Sequence, residues 1–464
     1  MGLFDILLWT VIAISVYFSA WWLIALNRTL ANSRLFDKES AKKYLSENIK
    51  ELPVVTVIIP LWNEQKTIKG TIQSVLDIDY PKDKLEIIIV NDGSTDDSEY
   101  EIFEIIDEFK KIKTEQRSLK VVNGITRKIY YKEIKRKNNQ SIKYIYQKNA
   151  GKGVALNVGI TLAQGKYYAG LDSDSYVAKS TLLKMLATLV YYNKKLKTNK
   201  VITITPAMRI SYPNTIVRYL QHYEYLMSMF VARIMSEHDM IYVTPGPFSL
   251  YDRKKIIELG AYHENQREIL TEDQELAYRI QDSQYYIKQC ANGYVYSTGP
   301  ETLKGLLRQR NRWFKGSLIC LSNYRHMIFN KEFGDFGIQQ MSINLLRVFL
   351  SISVLYIFYI LTINPIIQLF QRMSLYGFDI WPFITDFGIR FNLLNYNYPR
   401  LIGSGIILLL GILMLVMSHI NANIGIEKKD LKYLVVYFLV YHIMMAYVML
   451  VVIFEIIIGK KQWW

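Results

Sequence analysis

The chain has 464 residues, 51% of them hydrophobic, with 56 Lys and Arg against 41 Asp and Glu. That is too long for one small domain and unusually apolar for a soluble enzyme, and its two cysteines exclude a disulfide framework or a cysteine metal site. The formal charge of +15 is not gathered into a Lys/Arg tract with interleaved aromatics. Nucleic acid is therefore set aside, and lipid headgroups and nucleotide phosphates are the partners that suit the charge.

Residues 3–26 are apolar except for Asp5. They lack the basic start and small-residue cleavage site of a signal peptide, and they can cross a hydrocarbon core of about 30 Å as helix. A membrane anchor is expected over 1–27. Three further apolar runs, 348–370, 401–420 and 433–458, predict a membrane bundle over 345–458. Arg28, Arg34, Lys38, Lys42 and Lys43 follow the first run, and Arg308, Arg310, Arg312, Lys315, Arg325 and Lys331 precede the second. By the positive-inside rule the domain between them, 50–300, is cytoplasmic in a multi-pass protein of the cell membrane. The sparsely charged 371–400 then lies outside, and 427–432, with three lysines, lies inside. Counting crossings sets Lys460 and Lys461 outside, against their own charge. A re-entrant last segment or a miscounted crossing would account for that.

Within the domain, 54–60 (VVTVIIP) and 85–90 (LEIIIV) read as strands around a helix over 64–76, with Pro81 ending the connection. A third strand is expected at 143–147, a helix at 153–163 and a strand at 167–171. Apolar runs without clean alternation, separated by helices, predict βαβ units and a mostly parallel sheet covered on both faces. The stretch 99–140 breaks this order. It starts as an acidic helix and turns basic over 128–137, and a surface hairpin of either helices or strands is compatible with it.

Asp172-Ser173-Asp174 directly follows the fourth strand. Two carboxylates at i and i+2 repel unless one is protonated or a divalent cation sits between them with positions free for phosphate oxygens. A loop Asp pair that merely caps a turn is the plainer alternative. Ligands in open α/β sheets bind at the carboxyl ends of strands. Glu64, Asp92 and the segment Gln147–Lys152 stand at the same ends, with glycines that let backbone approach phosphate and lysines that neutralise it. There is no Walker A spacing and no Gly-x-Gly-x-x-Gly after the first strand, which weighs against ATPase and dehydrogenase readings. Thr271 stands where it would cap a helix opening with Glu272 and Asp273; those carboxylates serve either the helix terminus or a substrate hydroxyl. Gln309, Arg312 and Trp313, at i, i+3 and i+4, share one helical face. They offer a hydrogen-bonding amide, a diphosphate partner and a flat wall for a sugar. Arg308, Arg310 and Lys315 on the same helix suit lipid headgroups, and an interfacial amphipathic region is expected over 301–337.

In this order the motifs resemble those of family 2 glycosyltransferases of the membrane-integrated, inverting kind, which include cellulose, chitin, hyaluronan and poly-N-acetylglucosamine synthases. They are NDGS with Asp92, DxD at Asp172/Asp174, TED at 271–273 and QxxRW at Gln309, Arg312 and Trp313. The stretches YVTPGPFSLY (242–251) and PETLKGLLRQRNRW (300–313) look most like the poly-N-acetylglucosamine and chitin branch. The resemblance implies a nucleotide-sugar-binding GT-A-type domain between one membrane helix before it and about three after it. It implies a UDP-sugar donor, UDP-N-acetylglucosamine by preference, and Mg²⁺ or Mn²⁺ at Asp174. Asp273 would be the general base with Glu272 beside it. Glu64, Asp92, Lys152, Asp172, Gln309, Arg312 and Trp313 would hold the nucleotide sugar. The acceptor would be a growing glycan or, alternatively, a lipid-linked or short glycan. A membrane nucleotidyl- or phosphotransferase is the competing enzyme class, since it would use the same acidic edge without needing a carboxylate at Asp273 or an aromatic at Trp313.

Overall fold

The computed structural model describes residues 3–32, 34–106, 115–135, 139–264, 270–375, 398–425 and 430–460. The chain opens with α1 (Leu3–Asn32) and α2 (Lys38–Asn48), then alternates β1 (Val55–Leu61), α3 (Ile68–Leu76) and β2 (Leu85–Asn91). Next come α4 (Ser98–Ile105), a hairpin β3 (Glu115–Lys120) and β4 (Thr126–Lys135), β5 (Ser141–Tyr146), α5 (Lys152–Leu162) and β6 (Tyr167–Gly170). The second half holds β7 (Ser175–Val177), α6 (Thr181–Lys195), β8 (Val201–Ile210), α7 (Ile216–Glu237), β9 (Leu250–Asp252) and α8 (Arg253–Glu258). It closes with α9 (Glu272–Asp282), β10 (Tyr286–Ser297) and α10 (Leu303–Asn323), ahead of the long apolar helices.

The ten strands make one sheet in the order β3-β4-β5-β2-β1-β6-β9-β8-β10-β7. β5, β2, β1 and β6 are mutually parallel, which is the expected core. Every residue of β1 and β2 is buried, because helices cover both faces. Val57 and Ile59 pack with Ile72 and Leu186 on one side, while Ile58 packs with Val158 and Leu276 on the other. Antiparallel strands at both flanks make the whole sheet mixed. Two of them come from the excursion after α4. β4 pairs with β5 and β3 with β4, so this stretch extends the sheet instead of standing beside it. Lys137, at the end of its basic part, lies outside the described residues. The helix expected from Glu64 starts at Ile68, because Glu64–Thr67 forms a turn closed by Thr67 N–H donating to the Glu64 carbonyl at 3.1 Å.

One N-terminal and several C-terminal membrane-spanning helices flank this domain. Among the described residues, four helices have the length and apolar composition to cross a bilayer: Phe4–Asn32, Phe336–Leu375, Gly405–Ala422 and Leu431–Ile457. Ile24, Leu409 and Phe454 are each more than 60% exposed, an arrangement stable against lipid but not water. Residues 376–397 of the loop expected outside, and half of the lysine-bearing 427–432, lie outside the described residues. Both ends of the Leu431–Ile457 helix touch helices that precede the later apolar runs: Tyr223 Oη of α7 donates to the Asp430 carbonyl at 3.1 Å, and Lys315 Nζ of α10 donates to the Lys460 carbonyl at 2.6 Å.

Candidate active site

At the carboxyl end of β2 the chain turns through Asp92 and Gly93. Gly93 holds φ +76°, and a Cβ there would press on the Asn149 backbone nitrogen at 2.8 Å. The loop after β5 can therefore lie against it. Asp92 is buried and fastens that loop, accepting from Gln147 Nε2 at 2.7 Å, Ala150 N–H at 3.0 Å and Gly151 N–H at 2.7 Å. The loop delivers Lys152, the first residue of α5, to the centre of the site.

Lys152 Nζ lies 2.7 Å from Asp172 Oδ1 and 3.0 Å from Glu272 Oε1. Burial works against its ammonium, but Asp172 and Glu272 outweigh that and hold its pKa above the ordinary lysine value. On Glu272 burial is likewise outweighed by Lys152, with Arg312 adding to it, so this carboxyl is held below the usual range. Lys152 also acts on Asp273, but less than burial and the neighbouring carboxylate do. Burial and the adjacent Glu272 push it up to about 6. Its Oδ1 accepts from the Gln274 N–H at 2.8 Å. Asp174 is also raised to about 6, first by burial and then by Asp172 and Glu64. Glu64 is raised by burial and accepts from Thr67 Oγ1 at 2.9 Å.

The structure thus gathers Glu64, Lys152, Asp172, Asp174, Glu272 and Asp273 into one charged cluster, with Arg312 reaching it through Glu272. The YVTPGPFSLY stretch closes the back. Thr244 Oγ1 donates to the Asp273 carbonyl at 2.8 Å, and a Cβ on Gly246 would come within 2.8 Å of Lys152 Nζ. Asp92 stands behind the loop, and Gln309 and Trp313 are tied to Arg310.

Three expectations change here. Thr271 makes no side-chain cap to α9; its hydroxyl turns toward Cys320 and packs against Gly316 of α10. Arg310 and Lys315 are buried and ion-paired, so neither meets lipid headgroups. Tyr225 of α7, which no motif marks, lies near the Asp172/Asp174 pair: burial raises its phenol to about 12, and Arg310, Glu224, Asp174 and Asp172 all act on it.

The close approach of α10 to α9 gives a first prediction. A Cβ on Gly316 would overlap the Thr271 side chain. Gly316→Ala is expected to cost about 1–3 kcal/mol by overpacking and to shift the turn that carries Glu272 and Asp273. Thermal unfolding with a parallel activity assay checks this; a variant as stable and active as the parent would show that the two helices part freely.

A family model described as "Glycosyltransferase like family 2" matches residues 53–316, which is more than half of the chain. The chain is 27% identical over 270 residues to a poly-β-1,6-N-acetyl-D-glucosamine synthase of Staphylococcus aureus, covering 58% of this chain and 56% of that one. The corresponding enzyme of Staphylococcus epidermidis is 28% identical over 264 residues, covering 56% and 54%. The chain thus matches little more than half the length of these curated relatives. Among solved structures, the mannosyltransferase PcManGT from Pyrobaculum calidifontis, in complex with GDP-Man and Mn²⁺, aligns with 97% of this chain and 100% of its own. Its TM-score is 0.51 and its identity 15%, a likeness of fold that supports the GT-A-like core with flanking membrane helices. The chain belongs to the family 2 glycosyltransferases.

Proposed function

We propose that the protein transfers a hexose or N-acetylhexosamine, N-acetylglucosamine by preference, from a UDP-sugar to a growing glycan with inversion, as a processive polysaccharide synthase. The observation that carries this reading is the pairing of Lys152 with Asp172 and Glu272 beside Asp273, whose carboxyl is pushed up to about 6 by burial and by Glu272. One carboxylate is neutralised and its neighbour is left basic, the separation of roles that general base catalysis needs.

Among the described residues no three His, Cys, Asp or Glu side chains converge to hold a metal ion by themselves. Mg²⁺ or Mn²⁺ nevertheless fits the corner of Asp172 and Asp174. Such ions commonly bind through one or two carboxylates, with substrate phosphates and water completing the shell. The repulsion that raises Asp174 is the kind a cation relieves. Asp174 and Asp172 would hold the ion, which when bound supplies charge stabilisation for the departing diphosphate.

The chain's own residues account for the rest of the proposal. Asp92 and Glu64 shape the uridine side, Lys152 and Arg312 face the diphosphate, and Gln309 and Trp313 line the acceptor end. Asp273 takes the proton of the acceptor hydroxyl as that oxygen attacks the anomeric carbon, so an α-linked donor yields a β-linked product. Glu272 keeps Lys152 in place. The staphylococcal relatives support N-acetylglucosamine as the sugar and a polymer as the product. The basic flanks of the apolar runs support a cytoplasmic catalytic domain. Turnover of a UDP-sugar panel by the purified protein in detergent, with product masses, tests this. UDP-N-acetylglucosamine is expected to be preferred. A preference for UDP-glucose would overturn the sugar assignment, and no turnover of any UDP-sugar would overturn the reading as a whole.

A further inference from the structure

The helix α10 carries Gln309, Arg312 and Trp313, and it is fastened by two sets of polar contacts that none of the motifs contains. Arg310 is fully buried although it sits next to Gln309. Its Nε donates to Glu224 Oε1 at 3.2 Å and its Nη2 donates to Glu224 Oε2, a forked pairing with α7. Its third arm, Nη1, donates to Gln309 Oε1 at 2.6 Å. The guanidinium carbon lies 4.1 Å from the Trp313 ring centroid. One side chain therefore touches both motif residues assigned to the acceptor end. The second set lies on the last apolar helix: Glu455 Oε2 accepts from Asn311 Nδ2 at 3.3 Å and stands 3.8 Å from Lys315 Nζ.

A buried ion pair is a poor way to gain stability, because desolvating two charges offsets most of their attraction. What the guanidinium provides is direction. Its planar donors fix the angle of whatever they hold, which an ammonium or an apolar side chain does not. With Glu224 occupying two arms, the third locks the Gln309 amide and the plane backs the indole.

We propose that Arg310, oriented by Glu224, is a positioning residue that sets the poses of Gln309 and Trp313 toward the acceptor, and that Glu455 secures the same helix from the membrane bundle. This rests on the glycosyltransferase reading above. The pair works through its neighbours, so its loss should separate two activities that share a donor site. Acceptor transfer fails, while hydrolysis of bound UDP-sugar continues.

The test uses full-length protein in detergent with UDP-N-acetylglucosamine, Mn²⁺ and a short oligomer of β-linked N-acetylglucosamine. Arg310→Lys and Glu224→Asp, chosen because each keeps both charges while breaking the forked geometry, are each expected to lower the ratio of transfer to hydrolysis by about tenfold or more. UDP affinity should stay within about threefold, since only a transfer-specific interaction is lost. Glu455→Gln is expected to shift the ratio in the same direction by less. An unchanged ratio in Arg310→Lys and Glu224→Asp would overturn the proposal. So would transfer, hydrolysis, UDP affinity and melting temperature falling together, because that pattern marks a purely structural pair. Wild-type protein that neither binds nor turns over any UDP-sugar would instead defeat the functional reading beneath it.

Discussion

Asp273→Asn is expected to lower sugar transfer by about 10²–10⁴-fold, the usual contribution of a positioned proton acceptor, while UDP affinity stays within a few fold. The asparagine keeps the side chain's size and can still accept from the Gln274 N–H. Glu272→Gln is the internal comparison. It removes one of the two partners of Lys152 and should weaken donor binding before it affects the chemical step. The two carboxylates also differ in pH behaviour. Asp273 must be ionised to act, so transfer should fall by about tenfold per unit as pH drops below about 6. The sign for stability is opposite. A carboxyl whose folded-state pKa is raised contributes stability that is fully present below its unfolded value and is lost as pH rises through about 6. Asp273→Asn should therefore melt no lower than wild type at neutral pH. If the residue only served the helix terminus, the variant would lose about 0.3–1 kcal/mol and keep its turnover. Near-normal transfer in Asp273→Asn would eliminate it as the base.

The second large effect belongs to the Asp172/Asp174 corner. Removal of divalent cations with excess chelator is expected to abolish turnover, and restoring Mg²⁺ or Mn²⁺ should recover it. Asp172→Ala and Asp174→Ala are each expected to weaken UDP-sugar binding by about 10–100-fold, or about 1.4–2.8 kcal/mol. Their structural consequences differ. Asp174→Ala relieves a crowded carboxyl that burial, Asp172 and Glu64 raise to about 6. Asp172→Ala leaves Lys152 with Glu272 alone. Binding measured by calorimetry with and without metal separates the cases. Unaltered donor affinity in both variants, or full activity after verified metal removal, would count against the assignment.

Much of this protein was legible in its residues because the governing interactions are local. Runs of about 20 apolar residues specify membrane helices through their length alone, and β-branched runs such as 54–60 specify buried strands through their composition. The strand-end positions of Asp92, Asp172 and Asp174 follow from chain order, since a parallel sheet puts all its carboxyl ends on one edge. The family motifs name candidate residues, and the fold brings Glu64, Lys152, Asp172, Asp174, Glu272 and Asp273 together. Pairings between distant segments were beyond reach. Glu224 and Arg310 are 86 residues apart, and no periodicity links α7 to α10. Charge on a helix near a membrane looks the same in sequence whether it faces lipid headgroups or a buried partner, so Arg310 and Lys315 were read outward. Thr271 has the right type and place for a cap, yet the close approach of Gly316 and Cys320 decides where its hydroxyl turns. The basic stretch after α4 became strands because β5 offered it an open edge. Composition and spacing determined which elements form and which chemistry they carry. Only packing decided which charges are paired, because ion pairs depend on distances that the chain's order does not set.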